Sequence, residues 1–344
     1  MDVFDFIERD RLIKILNHIG GVSAGMVGDI CLDAYWRADM RLSELSRETP
    51  HFPLPIVEER YGAGGGANVA ANITALRPKR TRVFGVVGDD WRGGELKKIL
   101  TATGADVSNI ITAVGRVTNA YIKPIRQGIS DVSYEDPRLD FTDYAPLMRE
   151  TEEIIIAALD DAAGSLDVLC VSDQMPDGVI TARVREHICL LAERGLRVVA
   201  DSRSRIGTFR HVTIKPNELE GAFAAGLDPE KIKNIEDCAS AARVLSEKIN
   251  GGVFMTLGAS GSLYADASAA RHIPARKVGG PIDICGAGDT SLAGFSLAFA
   301  AGAEPHESAF IAGLCSEISI RQIGATGTAS REQIIDWYGQ NFGG

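Results

Sequence analysis

The chain has 344 residues, 45% of them hydrophobic and 24% charged, enough to bury a full α/β core in one large domain. Its formal charge of −10 argues against a nucleic-acid-binding surface, while leaving room for a local basic pocket around an anionic small substrate. Six cysteines without a C-x-x-C pair and six dispersed histidines give no readable disulfide framework or metal cage, a usage that fits a reducing cytoplasm.

The opening MDVFDFIERDRLIKILNHIGG mixes charges through its apolar positions, so it reads as an amphipathic surface helix rather than a secretory signal. No window is apolar for long enough to span a bilayer. Residues 22–29 make an apolar run ending in Gly28-Asp29, a buried parallel strand by pattern. Asp33 leaves the tip of that strand, where open α/β sheets place their ligands. Residues 37–61 carry Pro50, Pro53, Pro55 and many charges, which predicts an extended excursion pairing as a sheet edge.

Gly62-Ala-Gly64-Gly65-Gly66-Ala67-Asn68 then feeds a helix and satisfies G-x-G-x-x-A. A dinucleotide fingerprint, however, follows the first core strand and precedes an acidic strand end by ~20 residues. Here the preceding strand is the second extended segment and Asp89 lies 27 residues beyond Gly62, so NAD binding is a poor match. A strand over 82–88 and a helix over 91–103 follow. Residues 107–141 contain short alternating strands and no good helix, a second excursion able to pair with the first.

From residue 149 the rhythm is regular: helix 150–163, strand 167–172, helix 177–194, strands 196–201 and 211–215, helix 235–249, strand 252–257. Such alternation means βαβ units and a parallel sheet with helices on both faces. Lys215-Pro-Asn217-Glu218-Leu-Glu220 follows a strand and opens a helix. Acidic residues there are ordinary caps, yet Asn217 and Glu220 also share one helix face at a strand's carboxyl end. Gly258-Ala-Ser-Gly261 turns the chain back into a hairpin.

The stretch Gly279-Gly-Pro-Ile-Asp283-Ile-Cys-Gly286-Ala287-Gly288-Asp289 runs into a small-residue apolar helix, expected over 292–301. Glycines let backbone N–H groups converge on an anion, and a helix N-terminus adds partial positive charge. A carboxylate there would repel an anion, so Asp289 is either a base beside a phosphate or simply the helix cap. Helices over 305–320 and at the C-terminus complete the chain.

Three spaced elements, GGGAN with Asn68, KPNELE and DICGAGD, together resemble the PfkB/ribokinase family of carbohydrate kinases. The likeness covers nearly the whole chain and implies an α/β, ribokinase-like fold. That fold is a mostly parallel sheet with helices on both faces, plus a small β-sheet lid from about 34–61 and 112–141. By the resemblance Asp289 is the general base, and Gly286, Ala287 and Gly288 supply the anion hole. Asn217 and Glu220 match the motif that holds ATP phosphates and water-bound Mg²⁺, with Asp283 near the metal, and a monovalent cation accompanies some members. Thr256, Gly258 and Gly261 match the turn lining the nucleotide; Asp33, Gly64, Gly65 and Asn68 match groups that bind sugar hydroxyls. The implied partners are a sugar or sugar phosphate and a second copy of the chain through the lid, with no nucleic acid and no membrane.

Within the family, GDICLDAYW, the run 47–50, PRLDF with Arg138 and Asp140, VSDQ with Asp173, and QIGATGTAS resemble the branch acting on D-glycero-D-manno-heptose 7-phosphate. Arg47, Lys123, Arg126, Arg138 and Arg203 are candidate contacts for a substrate phosphate. The chain departs from the family signature at Ile284, and from that branch at Gln174-Met-Pro-Asp177, at Ser202-Arg203 and at Gly324-Ala325. The phosphoryl-transfer parts are intact and the substrate-facing parts altered, so the expected reaction is phosphorylation of a sugar or sugar phosphate, with another sugar or nucleoside, or a silent nucleotide-binding relative, as the alternatives. A single kinase domain over 1–344, without the nucleotidyltransferase of bifunctional relatives, is expected.

Overall fold

A ten-stranded main sheet and a five-stranded small sheet organise the protein, whose computed structural model describes residues 2–324 and 326–342. In spatial order the main sheet runs Asp2–Val3, Ala270–Ile273, Ser262–Ala265, Val253–Thr256, Thr213–Ile214, Arg197–Ser202, Val168–Asp173, Ser23–Gly28, Arg80–Gly88 and Asp106–Ala113. All neighbours are parallel except the two pairs made by Ser262–Ala265, which is the hairpin expected after the Gly258 turn. The central strands read as unbroken apolar runs because both their faces are covered; every residue of Val168–Asp173 is buried.

Two apolar layers flank the sheet. One holds residues of the helices Gly66–Ala75, Ala287–Ala300 and Pro305–Ser319, and the other those of Arg149–Ala163, Ala182–Glu193 and Ile235–Ile249. In the first layer Phe254 of the sheet stacks on Phe295 of the central helix, centroids 4.5 Å apart. That helix lies against its neighbour closely enough that a side chain at Gly294 would press on Cys315, 2.9 Å away.

Helix ends follow the local chemistry. Ile235–Ile249 starts at the Asn234–Asp237 capping box and stops at Asn250 in the left-handed conformation. Ala182–Glu193 begins five residues later than the pattern suggests, at the Thr181 cap, because residues 174–179 are committed to a loop around Asp29. Ala287–Ala300 begins earlier than expected, since a left-handed Gly286 turns the chain straight into it.

The small sheet takes Ile56–Gly65 on its edge, then Ile30–Asp39, then Ala120–Gln127, with Tyr134–Glu135 and Leu139–Phe141 on the last. The two excursions thus do pair with each other, in a parallel match of Asp33 with Tyr121. Residues 106–113 belong to the main sheet instead, so the second excursion joins the small sheet only from Ala120. Among the described residues no helix is long and apolar enough to cross a membrane.

Phe295→Ala should cost about 3–5 kcal/mol, the usual range for a fully buried aromatic, read as a lower urea midpoint at unchanged slope.

Candidate active site

Asp289 lies in the first turn of Ala287–Ala300, but it does not cap that helix. Gly286 is the cap residue, at φ 80°, and the Asp289 carboxylate points elsewhere. Its Oδ2 accepts a hydrogen bond from Asn68 Nδ2 at 2.8 Å. Asn68 is itself fixed by Asn72, whose amide donates to its backbone and side-chain oxygens. Burial pushes the Asp289 carboxyl up to about 7; Asp201 and Asp33 add to the rise, while the Asn68 amide and the Lys215 ammonium oppose it. A carboxylate so tuned is a competent proton acceptor near neutral pH. Of the three turn amides, that of Ala287 donates within the turn to the Ile284 carbonyl at 3.2 Å.

Asp283 sets the shape of this turn. Its oxygens accept from the N–H of Cys285 at 3.0 Å and of Gly324 at 3.1 Å, tying the glycine turn to the loop after Pro305–Ser319. Gly324 is described and takes a positive φ of 71°; its neighbour Ala325 lies outside the described residues.

On the small-sheet side Asp33 is 8% exposed, and burial pushes its carboxyl up to about 6 against the pull of Lys123 and Arg138. Gly62 pairs with Asp33 across the small sheet, and at Gly64, opposite Cys31, a Cβ would sit 2.5 Å from the Asp33 carboxylate. Gly65, at φ 53°, turns the strand into the helix that carries Asn68. Lys123 lies over the Tyr35 ring, and Arg138 over the Tyr121 ring while pairing with Asp140 through two hydrogen bonds. The structure therefore gathers Asp33, Gly64, Lys123 and Arg138 on one side of Asp289. Asp173 is held apart from them: it is fully occupied by Arg205 and by the Ser202 hydroxyl at 2.6 Å.

On the other side Asn217 and Glu220 form a reciprocal capping box, at 2.8 and 2.9 Å, so the cap reading and the shared-face reading describe the same geometry. Burial raises the Glu220 carboxyl above its usual range. Thr256 bridges to Asn217, and Gly258 and Gly261, both at positive φ, shape the adjoining turn.

Two residues of this side escaped the sequence reading. Lys215, 4% exposed, pairs with Asp201 at 2.8 Å, and its Nζ would lie 3.6 Å from a Cβ on Gly288. Burial works against the Lys215 charge, but Asp201, Glu220 and Asp289 outweigh it and hold the ammonium protonated. The available signal was a charged residue ending each of two buried strands, VVAD and TIK. Asn68, expected among the groups facing sugar hydroxyls, donates to the Asp289 carboxylate.

A buried cation beneath a glycine turn at a helix N-terminus suits a polyphosphate. Among the described residues no group of three or more His, Cys, Asp and Glu is placed to hold a metal ion. The carboxylates present suit a Mg²⁺ that keeps its waters, with half-buried Glu220 on offer to those waters.

The raised pKa fixes a sign. Folding lifts Asp289 from 3.8 to about 7, so its ionised form weakens the fold above that pH, and protonation removes the penalty as pH falls. Asp289→Asn should therefore raise Tm at pH 8 and lose most of that gain by pH 5, as read by calorimetry.

Residues 32–332 match the pfkB family carbohydrate kinase profile. The chain is 28% identical over 336 residues to the bifunctional protein HldE of Citrifermentans bemidjiense, and 30% identical over 337 residues to that of Geotalea uraniireducens. Both alignments cover 96% of this chain, which spans only 66% and 65% of those relatives' lengths. The fold matches phosphofructokinase-2 from Escherichia coli with a TM-score of 0.71 at 17% identity, covering 93% of this chain and 99% of that one. It also matches the Arabidopsis thaliana ribokinase complexed with ribose and ATP, at TM-score 0.68 and 18% identity over 92% and 98% of the two chains. Residues 62–65, the end of the small-sheet strand that leads into the helix carrying Asn68, lie within this match, and the chain belongs to the pfkB family of carbohydrate kinases.

Proposed function

We propose that this carbohydrate kinase transfers the γ-phosphoryl group of ATP to a hydroxyl of an already phosphorylated sugar, with heptose 7-phosphate and its anomeric hydroxyl as the first candidate. The observation that carries the reading is Asp289, held by Asn68 between a cation-bearing acceptor side and a cation-bearing phosphate side. Asp289 takes the proton of the acceptor hydroxyl as that oxygen bonds to the γ-phosphorus and ADP leaves. The turn amides of Gly286 and Gly288, with Lys215 beneath, receive the charge spread over the transferred oxygens, while that of Ala287 holds the turn through Ile284. Mg²⁺, when bound, neutralises charge between the phosphates; Glu220 and Asn217 are the residues that orient its waters.

Asp33 reads vicinal hydroxyls, and Lys123 and Arg138 supply the positive charge for the sugar's own phosphate. The preference for a heptose phosphate rests on the motifs PRLDF, GDICLDAYW and QIGATGTAS. Asp283, engaged with two backbone amides, serves the reaction by shaping the turn. The small sheet works as the lid that excludes water, and its exposed edge strand Ile56–Gly65 is the face through which two copies would pair.

A phosphoryl-transfer panel of heptose 7-phosphate, hexoses, pentoses, nucleosides and their phosphates tests the assignment. Phosphorylated sugars should be the best acceptors; a clear preference for an unphosphorylated sugar or a nucleoside would remove the proposal. On the best acceptor, Asp289→Asn should lower kcat by roughly 10²–10⁴-fold, the weight of a general base. The wild-type kcat/KM should fall about tenfold per unit below pH 7, as a base with the Asp289 pKa requires.

A further inference from the structure

Asp29 is a buried carboxylate, 1% exposed, with no part in the reading above. It is the single residue between main-sheet strand Ser23–Gly28 and small-sheet strand Ile30–Asp39. Its Oδ2 accepts the N–H groups of Gln174 at 2.8 Å and Met175 at 2.7 Å, and its Oδ1 that of Val179 at 2.7 Å. Its own N–H donates to Ser172 O at 2.9 Å, and its carbonyl accepts from Gly66 N–H at 2.8 Å.

Three amides on one carboxylate wrap loop 174–179 around Asp29. Gly178 is required there, because any Cβ would collide with the carboxylate. The loop's carbonyls face cations instead. Arg205 donates to Met175 O at 2.6 Å and Pro176 O at 2.7 Å, and Arg116 donates to Asp177 O at 2.9 Å. Fixed from both sides, the loop delivers Met175 to the acceptor side: its sulfur lies 3.9 Å from the Tyr121 hydroxyl. Tyr121 is in register with Asp33 and carries Arg138 on its ring at 4.4 Å. Residues 174–177 are also one of the stretches where the chain departs from the heptose branch.

We infer that Asp29 is a positioning residue for acceptor recognition, holding loop 174–179 so that Met175 and Tyr121 form the wall of the sugar pocket beside Asp33. The inference rests on the acceptor-site reading of Asp33. Steady-state KM values for ATP and for the best acceptor of the panel, with thermal melts as a folding check, test it in four proteins: wild type, Asp29→Asn, Gly178→Ala and Asp33→Asn.

An amide at position 29 turns one acceptor oxygen into a donor facing the loop amides. Asp29→Asn should raise the acceptor KM about tenfold or more while leaving the ATP KM within about twofold, the split expected of lost acceptor binding alone. Gly178→Ala, which displaces the loop and leaves the carboxylate intact, should move the same constant in the same direction. An unchanged acceptor KM in a folded Asp29→Asn, or a parallel rise in both KM values, overturns the inference. If that variant does not fold, Gly178→Ala decides alone. Failure of both to fold also counts against it, since the carboxylate would then be holding the fold rather than the pocket. An unchanged acceptor KM in Asp33→Asn would instead remove the acceptor-site reading, and this inference with it; a raised value there beside an unchanged Asp29→Asn removes the inference alone.

Discussion

The 2.8 Å hydrogen bond from Asn68 to Asp289 joins two helix starts that lie 221 residues apart in the chain. Each start follows a glycine at positive φ, Gly65 at 53° and Gly286 at 80°. At Gly286 the reason is plain, because a Cβ would come within 2.8 Å of the Asn68 amide. Helix Gly66–Ala75 grows out of the small sheet, whereas Ala287–Ala300 is buried against the main sheet. One short contact therefore sets the distance between the small-sheet side of the site, with Asp33, and the side with Lys215 and the glycine turn.

The charges around this contact are balanced at close quarters. Asp33, Asp201, Asp289 and Glu220 would repel one another in so dry a place, and burial alone lifts three of them above their ordinary range. Lys215 pulls Glu220 and Asp289 back down, and Lys123 with Arg138 do the same for Asp33. The result is a carboxylate basic enough to take a proton near neutral pH, flanked by cations already in place for anionic groups. In an acidic protein of net charge −10, these cations are concentrated where the site is.

Much of the fold was legible because the buried strands announce themselves. VLCVSD is buried at every position, and Ile235–Ile249 has its cap residues written at both ends. The glycine turn and the Asn217–Glu220 spacing were legible for the same reason, since both are local. What the sequence hid is pairing across distance. Nothing in residue 201 or 215 says that the two will form a buried ion pair, or that Asn68 will turn toward Asp289. Asp29 looked like the end of a strand, yet its three amide partners lie about 150 residues on and delay the start of helix Ala182–Glu193. Boundaries moved for such tertiary reasons, and at the start of the chain an element type did too: Asp2–Val3, inside the expected first helix, pairs as a strand with Ala270–Ile273, and the helix runs only over Arg9–His18.

The parallel match of Ile30–Asp39 with Ala120–Gln127 has a consequence for assembly. Aligning Asp33 with Tyr121 closes a loop of about 90 residues, an entropic cost repaid only once the intervening strands and helices have docked. The Asn217–Glu220 box closes over three residues and needs almost nothing else. The capping box is thus built into local chain geometry, whereas the Lys215–Asp201 pair and the register of Asp33 with Tyr121 come into being only with the completed fold. A destabilised form of this kinase would lose the register of the small sheet before it lost the Asn217–Glu220 cap.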